Sequence, residues 1–156
     1  MTVVRMSRSL EDTRAIAALL AGALRPGDVL ALEGPMGAGK TTLVRLLGEA
    51  LGVPRGMVAS PTFVLAHEYP TGAGFVLVHL DAYRLRSAED LEAAGWDRLS
   101  GPDAVVVVEW PGRVQGLLPE GRVSRVTIHP VAGRSGTDPG VREIEIGGPV
   151  GTRLGG

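Results

Sequence analysis

One lysine stands in this chain, Lys40, within the stretch EGPMGAGKTT that runs from Glu33 to Thr42. Every other residue in the Lys+Arg total of 16 is an arginine. The spacing Gly34-x-x-x-x-Gly39-Lys40-Thr41 is that of a phosphate-binding loop. Gly34, Gly37 and Gly39 let the backbone turn tightly and point successive N–H groups at phosphate oxygens, and the following helix offers its positive end to the same oxygens. An ammonium at position 40 reaches the β- and γ-phosphates as a compact charge, a role that a planar guanidinium fits less well. The Thr41 hydroxyl suits Mg²⁺. Pro35 stiffens the loop; Met36 and Ala38 bring no side-chain chemistry of their own. With 23 glycines a chance match is the plain alternative, but the pattern lies between a strand-like run and a helix-like run, as it must.

Such a loop needs a second anchor for the metal and a group that positions the attacking molecule. Ligands of open α/β sheets lie at the carboxyl ends of strands, so acidic residues that close apolar runs are the candidates. Asp81 closes FVLVHLD and Glu109 closes AVVVVE. The spacing leaves open which of the two touches the metal and which holds water, and the plain alternative for either is a cap on a nearby turn. Thr62, in Ser60-Pro61-Thr62-Phe63, is either a γ-phosphate-sensing switch threonine or a turn residue. Trp110 either stacks near a nucleotide or fills the core. His67 and His79 share no metal-site spacing and read as structural.

The elements that must carry these residues follow from apolar periodicity. TVVRM (2–6) predicts a first strand. Ser9 caps a helix through Leu10, Ile16, Leu19, Leu20 and Leu24, with Asp12 near the capping-box position. Asp28–Leu32 predicts a buried strand and Thr41–Leu51 a helix stopped by Gly52. Phe63–Tyr69 and Phe75–Leu80 predict a hairpin turning at Pro70–Gly74, and Ser87–Ala94 a short capped helix. The β-branched run Ala104–Glu109 predicts a strand buried on both faces. Arg122–Ile128 and Val141–Ile146 alternate and predict edge-side strands. The tail GGPVGTRLGG is expected to be loose. The expected whole is a single P-loop NTPase-like α/β domain over residues 1–156, its mostly parallel central sheet flanked by helices.

Bulk composition narrows the class. A chain of 156 residues that is 44% hydrophobic builds one real core. The absence of cysteine excludes a disulfide scaffold and thiolate metal sites, and fits the cytoplasm. No apolar run has the length of a membrane span, and the N-terminus lacks a signal-peptide core. A formal net charge of -1 does not suggest a protein that grips nucleic acid alone.

GPMGAGKTT, SPTF, HLDAYRL (His79–Leu85) and VEWP (Val108–Pro111), in this order and at these distances, resemble the bacterial TsaE family from about Ser9 to about Arg134. VEWP and the Asp-x-Tyr-Arg-Leu block are more specific than the phosphate loop. The resemblance implies a P-loop ATPase of the system that makes N6-threonylcarbamoyladenosine (t6A) on tRNA. It implies ATP held by Gly37, Ala38, Gly39, Lys40, Thr41 and Thr42, with Mg²⁺ on Thr41 and Glu109. Asp81 then positions water, Thr62 sits in a switch segment, and the base is met by the N-terminal stretch Leu10–Thr13, Leu10 and Glu11 foremost, and by the pair Gly133-Arg134. The implied partners are TsaB and TsaD, with tRNA met only through their complex. Pro35 and Met36 replace the family's usual acidic residue and Leu, and the tail from Ser135 onward matches nothing in the family.

Rival classes use the same loop. A small-molecule kinase would need an acceptor pocket and a lid, and no helical lid segment is visible. A GTPase with an Asn-Lys-x-Asp base-reading motif is excluded by the lack of a second lysine. A nucleotide-dependent binding module that signals by bound state alone remains the non-enzymatic alternative.

Overall fold

The computed structural model describes residues 1–58, 66–131 and 140–156. Its strands are β1 (Val3–Ser7), β2 (Val29–Glu33), β3 (Ala66–Pro70), β4 (Val76–Asp81), β5 (Ala104–Glu109), β6 (Val123–Pro130) and β7 (Arg142–Ile146). Its α-helices are α1 (Leu10–Ala23), α2 (Lys40–Ala50), α3 (Ala88–Ala93), α4 (Trp96–Leu99) and α5 (Gly148–Gly155). The strands form one sheet in the order β1-β7-β6-β2-β5-β4-β3. β1, β6, β2, β5 and β4 run one way and β7 and β3 the other, so the expected mostly parallel α/β sheet is present with antiparallel pairs at β1–β7, β7–β6 and β4–β3.

The predicted elements form for the reasons their sequences suggest. Ser9 Oγ accepts from the Asp12 amide at 3.1 Å, and Asp12 reaches back to the Arg8 amide at 2.8 Å, a capping box shifted by one residue. Ile16, Ala17 and Leu20 turn into the core, whereas Leu10 and Leu19 point outward. β5 is buried along its whole length, as its unbroken Val run requires. Its two faces look into separate cores. One packs β2, β5, β6 and β7 against α1 and α2; the other packs β2, β4 and β5 against α3 and α4. Of Phe63–Tyr69, residues 63–65 lie outside the described residues.

Two expectations fail. β6 and β7 are not edge-side strands: β6 lies between β2 and β7, and the edges are β1 and β3. Their alternation reports a different fact, that among the described residues no α-helix covers one face of this half of the sheet. Thus Val126 and Ile128 are buried while Arg125 and His129 are exposed.

Nor is the tail loose. Gly148–Gly155 is a helix whose Val150 is fully buried. Its glycines serve close packing: a Cβ on Gly151 would lie 2.4 Å from the Ile146 carbonyl oxygen. The helix is clamped by Arg153, whose guanidinium donates to both carboxylate oxygens of Asp28 at 2.7 and 2.8 Å and also to the Ala23 carbonyl. Asp28 is buried and also accepts from the Arg25 amide at 2.7 Å. Removing the cation leaves that carboxylate buried with only the Arg25 amide of its three hydrogen bonds. Arg153→Ala should therefore destabilise the fold by about 2–3 kcal/mol in urea unfolding, with Arg153→Lys intermediate. A change of less than about 0.5 kcal/mol would show that the clamp is dispensable.

Candidate functional site

The carboxyl ends of β2, β5 and β4 lie side by side, and each carries an acidic residue: Glu33, Glu109 and Asp81. The parallel register sets Asp81 level with Glu109 and Glu109 level with Leu32. Residues far apart in the chain thus reach the same edge, at the start of the glycine loop. Glu33 pairs with Arg125 and does not line the cleft that holds Asp81 and Glu109.

The loop delivers Lys40 into a buried position. Gly39 is the N-cap of α2 in the left-handed region, φ 103°. That conformation favours glycine, and a Cβ there would also meet Arg142 Nε at 3.2 Å. Lys40 then folds back over its own loop. Its Nζ donates to the Gly34 carbonyl oxygen at 2.8 Å and sits 3.3 Å from the centroid of the Trp110 ring. Burial lowers the pKa of this ammonium, and the charges of Glu109 and Asp81 oppose that shift.

Trp110 adopts φ 58°, ψ 54°, the only non-glycine residue with positive φ among the described residues. A bulky residue before proline disfavours this conformation, so packing must hold it there. The indole is pinned between the Lys40 ammonium and the Tyr83 ring, whose centroid is 5.4 Å away. It therefore walls the site and does not lie in the main core.

Met36, Gly37, Gly39, Lys40, Thr41, Thr42, Asp81, Glu109, Trp110 and Arg142 line a cleft of about 400 Å³. Glu109 is 5% exposed, and its Oε2 is bonded to His79 Nε2 at 2.6 Å. Asp81 faces the same cleft while its Oδ1 accepts from the Tyr83 amide at 3.0 Å, so it caps a turn and lines the site at once. The donors near Thr41 are oxygens only, which suits a hard divalent cation. Thr41 with one carboxylate would leave most of an octahedral shell open, so phosphate oxygens and water would supply the rest. A larger groove of about 630 Å³ lies on the bare sheet face beside Arg125, Thr127 and Glu145, away from the loop.

Of the residues expected at the base, Leu10 lines a neighbouring cleft of about 250 Å³ with Ser9, Thr13, Gly39 and Thr42. Glu11 is exposed and lines neither cleft. Ala38 turns its side chain inward, 1% exposed, and presents its carbonyl to Arg142. Thr62, Gly133 and Arg134 lie outside the described residues.

Two residues at the site escape the sequence reading. Arg142, on β7, donates from Nε to the Ala38 carbonyl and from Nη1 to the Gly140 carbonyl at 3.3 Å, and it borders both clefts. Its signal is parity: in VREIEI it falls on the apolar face with Ile144 and Ile146, where a cation needs a reason. His79 carries the same kind of signal as the one polar residue inside the run FVLVHL.

Comparison with known proteins bears on the family of this chain. Residues 7–136 match the family model described as Threonylcarbamoyl adenosine biosynthesis protein TsaE. The tRNA threonylcarbamoyladenosine biosynthesis protein TsaE of Streptomyces coelicolor is 54% identical over 101 residues, covering 63% of this chain and 67% of the relative. Its Bacillus subtilis counterpart is 42% identical over 116 residues, covering 74% and 71%. The crystal structure of Bacillus subtilis YdiB superposes with a TM-score of 0.69 at 32% identity, covering 99% of this chain and 90% of that one. Arg142 lies beyond the residues that the family model matches. The family model that spans most of the chain and the extent of the matches to relatives lead to one conclusion: this chain is a member of the TsaE family.

Proposed function

We propose that this protein is a Mg²⁺-dependent ATPase of t6A biosynthesis, working in the cytoplasm on the TsaB–TsaD complex to sustain its turnover. The observation that carries the ATPase reading is the convergence of Lys40, Thr41, Asp81 and Glu109 on one cleft at the carboxyl edge of the sheet. The role in t6A biosynthesis and the choice of partners rest on family membership.

The loop amides from Gly37 to Thr42 and the Lys40 ammonium bind the phosphate chain. Lys40 rests on the Gly34 carbonyl and the Trp110 ring, and ATP phosphate oxygens would compete with those contacts for the ammonium. Thr41 and Glu109 would hold Mg²⁺, which would supply charge neutralisation for the phosphate chain. Asp81 orients water, and Trp110 shields the Lys40 side of the cleft. Leu10 borders the base side. Thr62 is the proposed switch threonine, and Gly133 and Arg134 the proposed late base contact. Arg142 offers a second cation at the junction of the two clefts.

Lys40→Ala is expected to weaken ATP binding by about a hundredfold or more in calorimetry. Glu109→Ala and Asp81→Ala should lower phosphate release by about tenfold to a thousandfold while changing ATP affinity far less. Normal hydrolysis by Glu109→Ala in Mg²⁺ would refute the metal assignment. ATP contact with Lys40 also draws the ammonium off the indole, so Trp110 emission should change on binding and stay unchanged in Lys40→Ala.

The larger role is tested by ATP turnover of the protein alone and with TsaB, TsaD and tRNA. Low activity alone that rises with the complex is expected. Unchanged activity with the complex would count against a partner-activated ATPase, and phosphate transferred to an added metabolite would make the protein a kinase.

A further inference from the structure

Within β4, the position of His79 is one where an aliphatic residue would be expected. It is 0% exposed, and its side chain emerges on the same face as Leu77 and Asp81. Leu77 and, from β5, Val105 and Val107 make up the core on that face. Burying an imidazole among such neighbours is unfavourable unless its polar atoms are bonded. Here only one of them is. Nε2 meets Glu109 Oε2 at 2.6 Å, whereas Nδ1 is buried without a partner among the described residues. A histidine serving the fold alone would be expected to satisfy both nitrogens or to give way to Leu or Val.

The unsatisfied atom also indicates the tautomer. A carboxylate accepts, so Nε2 carries the proton and donates to Glu109, leaving Nδ1 with a bare lone pair. The geometry points to His79 as a positioning residue that fixes Glu109 through Oε2 and leaves Oε1 for the cation shared with Thr41. This inference rests on the reading of the cleft as a Mg·ATP site.

The physical need is clear. A glutamate at a strand end has three rotatable bonds and reaches its target only if some contact selects one rotamer. Backbone register places the Glu109 Cα, level with Asp81, but does not place the carboxylate. A rigid ring anchored on the adjacent parallel strand does. Partners behind a metal ligand commonly fix its orientation in this way, and their loss costs about ten- to a hundredfold in metal affinity.

Three substitutions separate positioning from packing. His79→Gln keeps an N–H near the place of Nε2. His79→Asn carries one that stops short of it, near Nδ1. His79→Leu fills the space with no donor. The readouts are Mn²⁺ affinity of the ATP-loaded protein by electron paramagnetic resonance, ATP affinity without metal, and the urea midpoint. We expect His79→Leu and His79→Asn to weaken Mn²⁺ binding by about tenfold or more, with His79→Gln within about threefold of the parent. Metal-free ATP binding should be unchanged in all three, and the urea midpoint of His79→Leu should not fall. Parental Mn²⁺ affinity in His79→Leu, or a loss in His79→Gln as large as in His79→Leu, would overturn the inference. If His79→Leu does not fold, the Gln and Asn variants alone decide, because only Gln reaches Glu109. A parent protein that binds neither ATP nor Mn·ATP would instead refute the nucleotide reading, and this inference with it. Normal binding by the parent together with equal binding by every variant refutes only the role of His79.

Discussion

A single ammonium must stay charged where water is nearly excluded, and much of this architecture answers that requirement. Lys40 is 6% exposed, and burial alone disfavours its charge. Three kinds of compensation surround it: a carbonyl from the loop, the face of the Trp110 indole, and the fields of Glu109 and Asp81. The carbonyl comes from the loop after β2, the indole and Glu109 from the end of β5, and Asp81 from the end of β4, so the full set assembles only when these strands pair.

The same requirement explains the odd backbone of Trp110. Placing the indole against Lys40 immediately after a buried glutamate, and immediately before Pro111, leaves few conformations open. The chain accepts a left-handed residue, a cost of order 1–3 kcal/mol, and the surrounding contacts hold it. Strain of this kind at a site is consistent with a wall that must be rigid. The Glu109–His79 bond extends the same logic one layer deeper into the sheet.

Away from the site the sheet divides into two halves. Around β2, β5 and β4 both faces are covered, and the sequences are unbroken apolar runs. Around β6, β7 and β1 one face is bare, and the sequences alternate. Arg142 sits in that alternating half yet points to the covered side, where it ties β7 to the Ala38 carbonyl of the loop. Thus a strand beyond residues 7–136, which the family model matches, still touches the site through one side chain. The helix α5 stabilises this half by a buried ion pair that also accepts a backbone amide, not by a large apolar face.

The sequence alone determined what depends on local pattern. The loop Gly34–Thr41, the strands that precede Asp81 and Glu109, and the caps at Ser9 and Ser87 follow from glycine conformational freedom, apolar periodicity and short side-chain bonds to nearby amides. Family-specific blocks such as VEWP added the expected roles. Tertiary structure decided what depends on distant partners. Alternation in Val123–Pro130 records a bare face but cannot say whether a strand lies at an edge. A glycine-rich tail reads as loose, because close backbone approach at Gly151 and the reach of Arg153 to Asp28 are long-range facts. Arg142 and His79 likewise acquire meaning only from what register sets beside them, since nothing in a linear pattern places a side chain against a residue from another strand.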